Sequence, residues 1–392
     1  MKIQICIATD ALLANFLPAL IDRPDHVYLV TTDEMKPLAD DLARMLDAER
    51  IRSTIYRDSA DGRWPGVSDT AARLAEHVRA THPDAEVTVN ITGGLKPMAI
   101  GFVMGFKALP HRTIYMDMRH GVINHLELPP APDQPIPDLL DVRRYLLASG
   151  FRVRDIKSQS ERWRQDAAAV RNLTDYLAAH WSKIGHLADA LNSSAADARN
   201  LYENAGTPQE QPARVRIDKE LALRNRHLME TLVEQKVVAW SEQRPGSMEI
   251  LDYARAQYLG GFWLEEYAFL QLSDLGLRDL AVGVFGEWLG GGAARARNEF
   301  DVVATHANRL LFIECKAGVF RTDQKIQDTF GKIDAIGNRA AGRFGSVMML
   351  SPRSLTPAAV ARAAAGRIFP LHGADITRVR EVVQRWMHGG KL

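Results

Sequence analysis

Five apolar runs of strand length, spaced by helix-period segments and ended by a proline cluster, constrain the fold of this chain more than any other feature. The runs are 3–8, 27–31, 52–56, 87–91 and 112–116, and the segments 12–20, 35–49, 68–81 and 97–109 between them read as helices. Parallel strands need crossover connections, and crossover helices bury both faces of the sheet, so near-continuous apolar strands alternating with helices predict a doubly wound parallel α/β sheet. The pattern stops at Leu128-Pro129-Pro130-Ala131-Pro132, with Pro135 and Pro137 beyond it. Proline has no N–H to donate and clashes with a helical turn, so this density marks a domain boundary at residue 137.

From 138 to 253 the chain reads mostly as helices, at 138–147, 160–179, 184–204 and 217–234. Two short strands, 237–242 and 248–251, then flank Gln243-Arg244-Pro245-Gly246-Ser247, a hairpin signal. Helices followed by a hairpin suggest a winged-helix-like connector. The last part, 254–392, opens with an amphipathic helix at 261–275. Strands follow at 280–288, 300–305 and 310–315, then a helix at 322–339, a strand at 346–350 and two further helical stretches. That mixture is again α/β. The expected division is therefore 1–137, 138–253 and 254–392.

Composition narrows the function classes. Hydrophobic residues make up 46% and charged residues 25% of the chain, the balance of a soluble globular protein. Basic and acidic side chains number 49 and 48, a net charge of +1, so bulk charge draws no polyanion and any basic surface is local. Cys6 and Cys315 are the two cysteines, too few for a disulfide framework or a zinc spacing. The opening residues read as a strand without a signal peptide's long apolar core, and the apolar stretch 97–106 is too short to span a bilayer. A cytoplasmic protein with no membrane partner is expected.

The densest chemistry lies in Asn298-Glu299-Phe300-Asp301-Val302-Val303 and, after a turn at His306-Ala307-Asn308, Leu310-Leu311-Phe312-Ile313-Glu314-Cys315-Lys316. Side chains alternate across a strand, so Glu314 and Lys316 share a face. If the two strands pair, Asp301 lies near Glu314, and two carboxylates meet one ammonium at the mouth of a hairpin. Carboxylate oxygens suit Mg2+ or Mn2+, and a cation of that kind activates water against a phosphodiester. Lys316 would orient that water or offset charge on the phosphate.

A second constellation follows the fourth strand, at Thr92-Gly93-Gly94-Leu95-Lys96-Pro97. Glycines allow close backbone approach to a ligand, and Pro97 suits the first turn of a helix whose N-terminus favours anions. Thr92, Gly93, Gly94 and Lys96 thus form a phosphate cradle at the C-terminal end of a parallel strand. The spacing is neither a Walker loop nor GxGxxG.

The Asp and Glu-x-Lys hairpin resembles the PD-(D/E)xK restriction-endonuclease-like nucleases, with Phe300 rather than proline before Asp301. That resemblance implies a further carboxylate from the preceding helix, Glu265 being favoured over Glu266 in Phe262-Trp263-Leu264-Glu265-Glu266. The Thr-Gly-Gly-x-Lys loop resembles the signature of the CARF domain, a Rossmann-like sensor of cyclic oligoadenylates, with Leu95 in place of a threonine. Ala8-Thr9-Asp10, with Asn15 downstream, is similar to that family's other ligand loop, and Tyr115-Met116-Asp117 lies at the same edge. In order and rough spacing the whole chain, including Gly261-Phe262-Trp263-Leu264-Glu265, resembles the CARF-nuclease effectors of CRISPR systems (the DUF1887 type). The resemblance implies a homodimer, cyclic tetra-adenylate as allosteric activator, Mg2+ or Mn2+ at Asp301, Glu314 and Glu265, and DNA or RNA as substrate. The glycine-rich stretch 289–297 is expected to be a loop beside the hairpin. An alternative is a ligand-gated, nucleic-acid-binding transcription regulator with an inactive nuclease-like domain; intact Asp301, Glu314 and Lys316 argue against it.

Overall fold

The computed structural model describes every residue except 58–61, 128, 130, 205–207, 290–295, 319–322, 343 and 391, and of 323–325 the backbone alone. The glycine-rich loop expectation lies largely outside the described residues. Two compact units emerge, one built on Met1–Arg152 and the other on Val153–Gly286, Arg297–Ala341 and Gly345–Leu392.

In the first unit β1 (Lys2–Ile7), β2 (His26–Thr31), β3 (Arg52–Arg57), β4 (Glu86–Asn90) and β5 (His111–Asp117) run parallel in the order β3-β2-β1-β4-β5. β6 (Val122–His125) and β7 (Gln134–Pro135) extend one edge antiparallel. Helices α1 (Leu13–Asp22), α2 (Lys36–Ala48), α3 (Gly66–Thr81), α4 (Lys96–Gly105) and α5 (Val142–Ala148) complete the unit. Each run named above forms its strand; β1, β2 and β4 are buried almost end to end, whereas β3, expected to be buried like them, lies at the sheet edge and has no fully buried residue. From β1 the chain turns to β2 on one side and later to β4 on the other. The loops after β1 and β4 therefore meet at a topological switch point, where doubly wound sheets bind ligands. α4 presses its glycines onto α3: a Cβ on Gly101 would lie 2.9 Å from Val67 Cγ1, and one on Gly105 2.8 Å from the Ala72 nitrogen. Its outer face leaves Ile100 and Met104 exposed.

In the second unit a six-stranded mixed sheet has the order β16-β15-β14-β13-β12-β8. Its strands are β8 (Phe151–Ile156), β12 (Asp279–Trp288), β13 (Arg297–His306), β14 (Arg309–Cys315), β15 (Ser346–Ser351) and β16 (Ile368–His372). A small sheet, β10-β11-β9, joins β9 (Ala213–Arg216), β10 (Val238–Trp240) and β11 (Ser247–Ile250). The helices are α6 (Glu161–Ala169), α7 (Arg171–Asn204), α8 (Lys219–Arg224), α9 (Arg226–Glu234), α10 (Tyr253–Gln257), α11 (Trp263–Leu272), α12 (Asp323–Ala341), α13 (Pro357–Ala365) and α14 (Val379–Met387). The succession α7, β9, α8, α9, β10, β11 is helix–strand–helix–helix–strand–strand, a winged-helix topology. α7 runs unbroken for 34 residues, across the gap expected near 180–183, where neither proline nor glycine interrupts it. One hydrophobic core holds residues of α7, the small sheet, α11 and the β13–β14 hairpin, with Trp181 stacked on Trp263 at 5.2 Å.

Candidate active site and anion-binding turn

β13 and β14 form a tight antiparallel hairpin. His306 pairs with Arg309 across Ala307 and Asn308, both at positive φ, as a two-residue hairpin turn requires. Val302 pairs with Ile313, so the next rung of the ladder sets Asp301 opposite Glu314. Val302, Val303, Phe312 and Ile313 are fully buried or nearly so; Val303 and Phe312 lie on the same face as Asp301 and Glu314, so the acids end an apolar stripe on that face. The Cys315 N–H donates to Asp301 Oδ2 at 2.7 Å. Lys316 Nζ lies 2.5 Å from Glu314 Oε1 and 3.8 Å from Asp301 Oδ2. The two carboxylates and the ammonium therefore converge at the hairpin mouth.

α11 brings the further acid. A π-turn, Tyr258–Phe262, precedes it, and Gly261 sits at φ +122°, a conformation open to glycine alone. After this kink Glu265 and Glu266 occupy the first turn of α11. Burial raises the Glu265 carboxyl well above the carboxylate range, and the neighbouring Asp301 charge adds to the rise. Burial pushes Glu266 up to about 7, but its charged neighbours are Lys157, Arg255 and Asp166. Glu265 is thus the glutamate that faces Asp301. Its Oε2 is buried and has no hydrogen-bond partner among the described residues. Asp301 is itself pushed up to about 7, by burial and then by the Glu314 charge. Burial works against the charge of Lys316, yet attraction to Asp301 and Glu314 prevails and its pKa rises.

A second cation, Lys157, went unread in the sequence. It lies in the short turn Lys157–Gln159 after β8 and stands over the Phe262 ring at 3.4 Å, donating to Gln257 Oε1 at 3.1 Å. Burial depresses its pKa, opposed by the charges of Glu265, Glu266 and Glu299. An open cavity of about 400 Å3 adjoins the site, and Asn192, Arg199, Gln257, Glu265 and Lys316 contribute its polar lining. Among the described residues no three or more His, Cys, Asp or Glu side chains stand arranged as a ready metal cluster.

At the switch point of the first unit the expected turn residues meet. A Cβ on Gly93 would collide with the Ile7 carbonyl oxygen and lie 2.9 Å from Thr9 Cγ2; one on Gly94 would collide with the Ile7 side chain. Both glycines are thus demanded by contact with the end of β1. Thr9 Oγ1 donates to Asp10 Oδ1 at 3.0 Å. Asn15 is 1% exposed and holds the two turns together: its amide donates to the Ile7 carbonyl at 2.7 Å and accepts from Asn90 Nδ2 at 3.1 Å. Thr92 Oγ1 donates to Asn90 Oδ1 at 2.6 Å and accepts from the Met116 N–H at 2.8 Å. Asn15 and the Thr92 hydroxyl therefore brace the turn, whereas Lys96 stands exposed at the start of α4, whose N-terminus no side chain caps. Among the described residues no helix is long and apolar enough to cross a membrane.

A Rossmann-like sheet with a glycine-lined turn, joined to a mixed sheet carrying an Asp…Glu-x-Lys hairpin, defines a sensor–nuclease class of protein. Residues 3–143 match the Card1 CARF domain family, and residues 252–389 match the Card1-like endonuclease domain family. The chain thus belongs with the Card1-type proteins, pairing a Card1 CARF domain with a Card1-like endonuclease domain. Among solved structures, protein VC1899 from Vibrio cholerae is 18% identical, with a TM-score of 0.85 over 100% of this chain and 99% of that one. Can2 from Sulfobacillus thermosulfidooxidans, solved in complex with cyclic tetra-adenylate, is 21% identical, with a TM-score of 0.73 over 99% of each chain. A type III CRISPR defence DNA nuclease activated by cyclic oligoadenylate is 15% identical, with a TM-score of 0.55 over 91% of this chain and 46% of that one. These likenesses are of fold. No curated protein matches the sequence.

Proposed function

We propose that this protein is a metal-dependent endonuclease of type III CRISPR antiviral defence, switched on by a cyclic oligoadenylate. The observation that carries the reading is the convergence of Asp301, Glu314 and Lys316 at one hairpin mouth, with Glu265 facing them from α11. A sensor over 1–137, a connector over 138–253 and a nuclease over 254–392 divide the labour.

The residues suit a hard divalent cation, Mg2+ or Mn2+. Glu265 Oε2 is buried without a partner among the described residues, and Asp301 is held near neutrality by burial and by Glu314. A cation relieves both costs. Asp301, Glu314 and Glu265 would hold it; when bound, such an ion polarises the scissile phosphate and makes a water acidic enough to attack. The Cys315 N–H keeps Asp301 in one orientation. Lys316, tethered to Glu314 but one third exposed, faces the cavity, where its ammonium offsets charge on the phosphate as it is attacked.

On the sensor side, Can2 was solved with cyclic tetra-adenylate, and we assign the same class of ring to this chain. Lys96, Gly93, Gly94 and Thr92 would meet the ring's phosphates, with Thr9 and Asp10 beside them and Asn15 bracing from beneath. A ring with two-fold symmetry calls for a homodimer. The exposed Leu95, Ile100 and Met104 around α4 support an apolar contact with a second copy. By linkage, the ring must bind the cutting arrangement more tightly than the resting one. A cytoplasmic setting accompanies this role.

The test is a matrix of cyclic oligoadenylates against single- and double-stranded DNA and RNA, with Mn2+ or Mg2+, scored for cutting by the purified full chain. Cutting that requires both a ring and a metal is expected. Retarded migration of nucleic acid without cutting, under every combination, would favour the regulator reading instead.

A further inference from the structure

The cavity beside the hairpin mouth is closed on one side by α7, which contributes Arg199 and Asn192. Arg199 is half-buried and makes no hydrogen bond or ion pair among the described residues. A guanidinium carries five N–H donors, and no Arg199 nitrogen is among the fully buried unpartnered atoms, so its donors stay open to a ligand's oxygens at the cavity. Its acidic neighbour one turn along, Glu203, is engaged by the Tyr253 hydroxyl at 2.7 Å.

Gly260 explains where this guanidinium rests. The three atoms nearest a Cβ built on Gly260 all belong to Arg199: Nη1 would collide, Cζ would lie at 3.0 Å and Nη2 at 3.5 Å. Gly261 next door needs glycine for its backbone, at φ +122°, whereas Gly260 has no such left-handed conformation. What Gly260 provides is room, and the guanidinium fills it. The other cations near the cavity are engaged. Lys316 is paired with Glu314, and the half-buried Lys157 is held between Gln257 and the Phe262 ring.

We propose that Arg199 is a substrate ligand of the nuclease site, binding a backbone phosphate of the nucleic acid next to the one that is cut, and that Gly260 is its seat. The planar fork suits bidentate contact with phosphate oxygens, which a lysine cannot reproduce. This inference rests on the nuclease reading and adds a residue from the helical middle of the chain to it.

The test uses the full-length protein with its activating ring and Mn2+. Arg199→Ala is expected to lower kcat/KM by about 10- to 100-fold, the range for losing a charge-assisted hydrogen bond, with ring affinity and Tm unchanged and partial recovery in Arg199→Lys. In a cutting-deficient Glu314→Gln background, Arg199→Ala should also reduce the salt dependence of nucleic-acid binding by roughly one phosphate contact, which a merely structural residue would not do. Gly260→Ala displaces the guanidinium and should reproduce the loss, and the double variant should be no worse than Arg199→Ala alone. If Arg199→Ala does not fold, Arg199→Lys and Gly260→Ala carry the same test. A wild type that cuts while all these variants cut equally well and keep its salt dependence overturns the inference alone. A wild type that cuts nothing overturns the nuclease reading and the inference with it.

Discussion

At the switch point of the first unit, polar side chains satisfy one another: Asn15 and Asn90 pair, Thr92 is bonded on both sides of its hydroxyl, and Thr9 donates to Asp10. At the mouth of the β13–β14 hairpin the reverse holds. Glu265, Asp301 and Glu314 are crowded into partial burial, a Glu265 oxygen lacks a partner among the described residues, and Lys157 and Lys316 are drawn in as counter-charges. The turn is settled before any ligand arrives and presents a cation and a helix N-terminus outward. The hairpin mouth is electrostatically unsettled, and a metal ion and a phosphate would settle it. Sensing suits the first condition, because a rigid cradle spends little binding energy on its own ordering. Chemistry suits the second, because acids held against their preference sit where charge is to be handled.

Each side of this contrast can be broken separately. Lys316→Ala removes the ammonium without touching the turn, so kcat for cutting should fall by about 10²- to 10³-fold while ring affinity stays at the wild-type value; equal loss of both would erase the contrast. Lys96→Ala acts on the other side. Half-activation should then need about 10- to 100-fold more ring, the cost of one charge-assisted contact, while cutting at saturating ring is retained. Titration of cutting against ring concentration checks this.

The smallest effect concerns stability. Asp301 has a folded-state pKa raised to about 7, by burial first and Glu314 second. A carboxyl raised in this way contributes stability that is full below its ordinary value near 4 and is lost as pH rises through 7. In metal-free buffer, Asp301→Asn should therefore melt higher than wild type at pH 8, with the gain shrinking towards pH 5, and Mn2+ should remove the gain by stabilising wild type alone. A gain that ignores both pH and Mn2+ would mean that Asp301 is not electrostatically strained.

Much of this was legible in the chain, for physical reasons that also explain what was not. β1, β2 and β4 are covered on both faces, so their apolar runs announce them. β7, β9 and β16 are short edge strands, and Pro135 and Pro370 lie in two of them. An edge tolerates proline and needs little apolar sequence, so these strands carry no signal. β8 sits 120 residues or more before its neighbour β12, beyond any local pattern. The hairpin site was legible because period-2 alternation sets Glu314 beside Lys316 and the register sets Asp301 opposite. Glu265 came only through resemblance. Lys157 and Arg199 were invisible, being single cations with no motif, brought in by β8 and α7. The Gly260-Gly261 pair was the one available clue, since two glycines just before a helix ask what approaches them. Asn15 was expected among the ligand-contacting residues; its burial turns the amide to bracing instead.

Placing the chemistry at the hairpin mouth is tested most directly by two readings on one variant, Glu314→Gln, measured beside wild type with cyclic tetra-adenylate and Mn2+. This variant should bind the ring as tightly as wild type, fold and melt normally, and cut nucleic acid at least about 10²-fold more slowly. Undiminished cutting by Glu314→Gln would contradict that placement, because the chemistry would then lie somewhere other than the hairpin mouth.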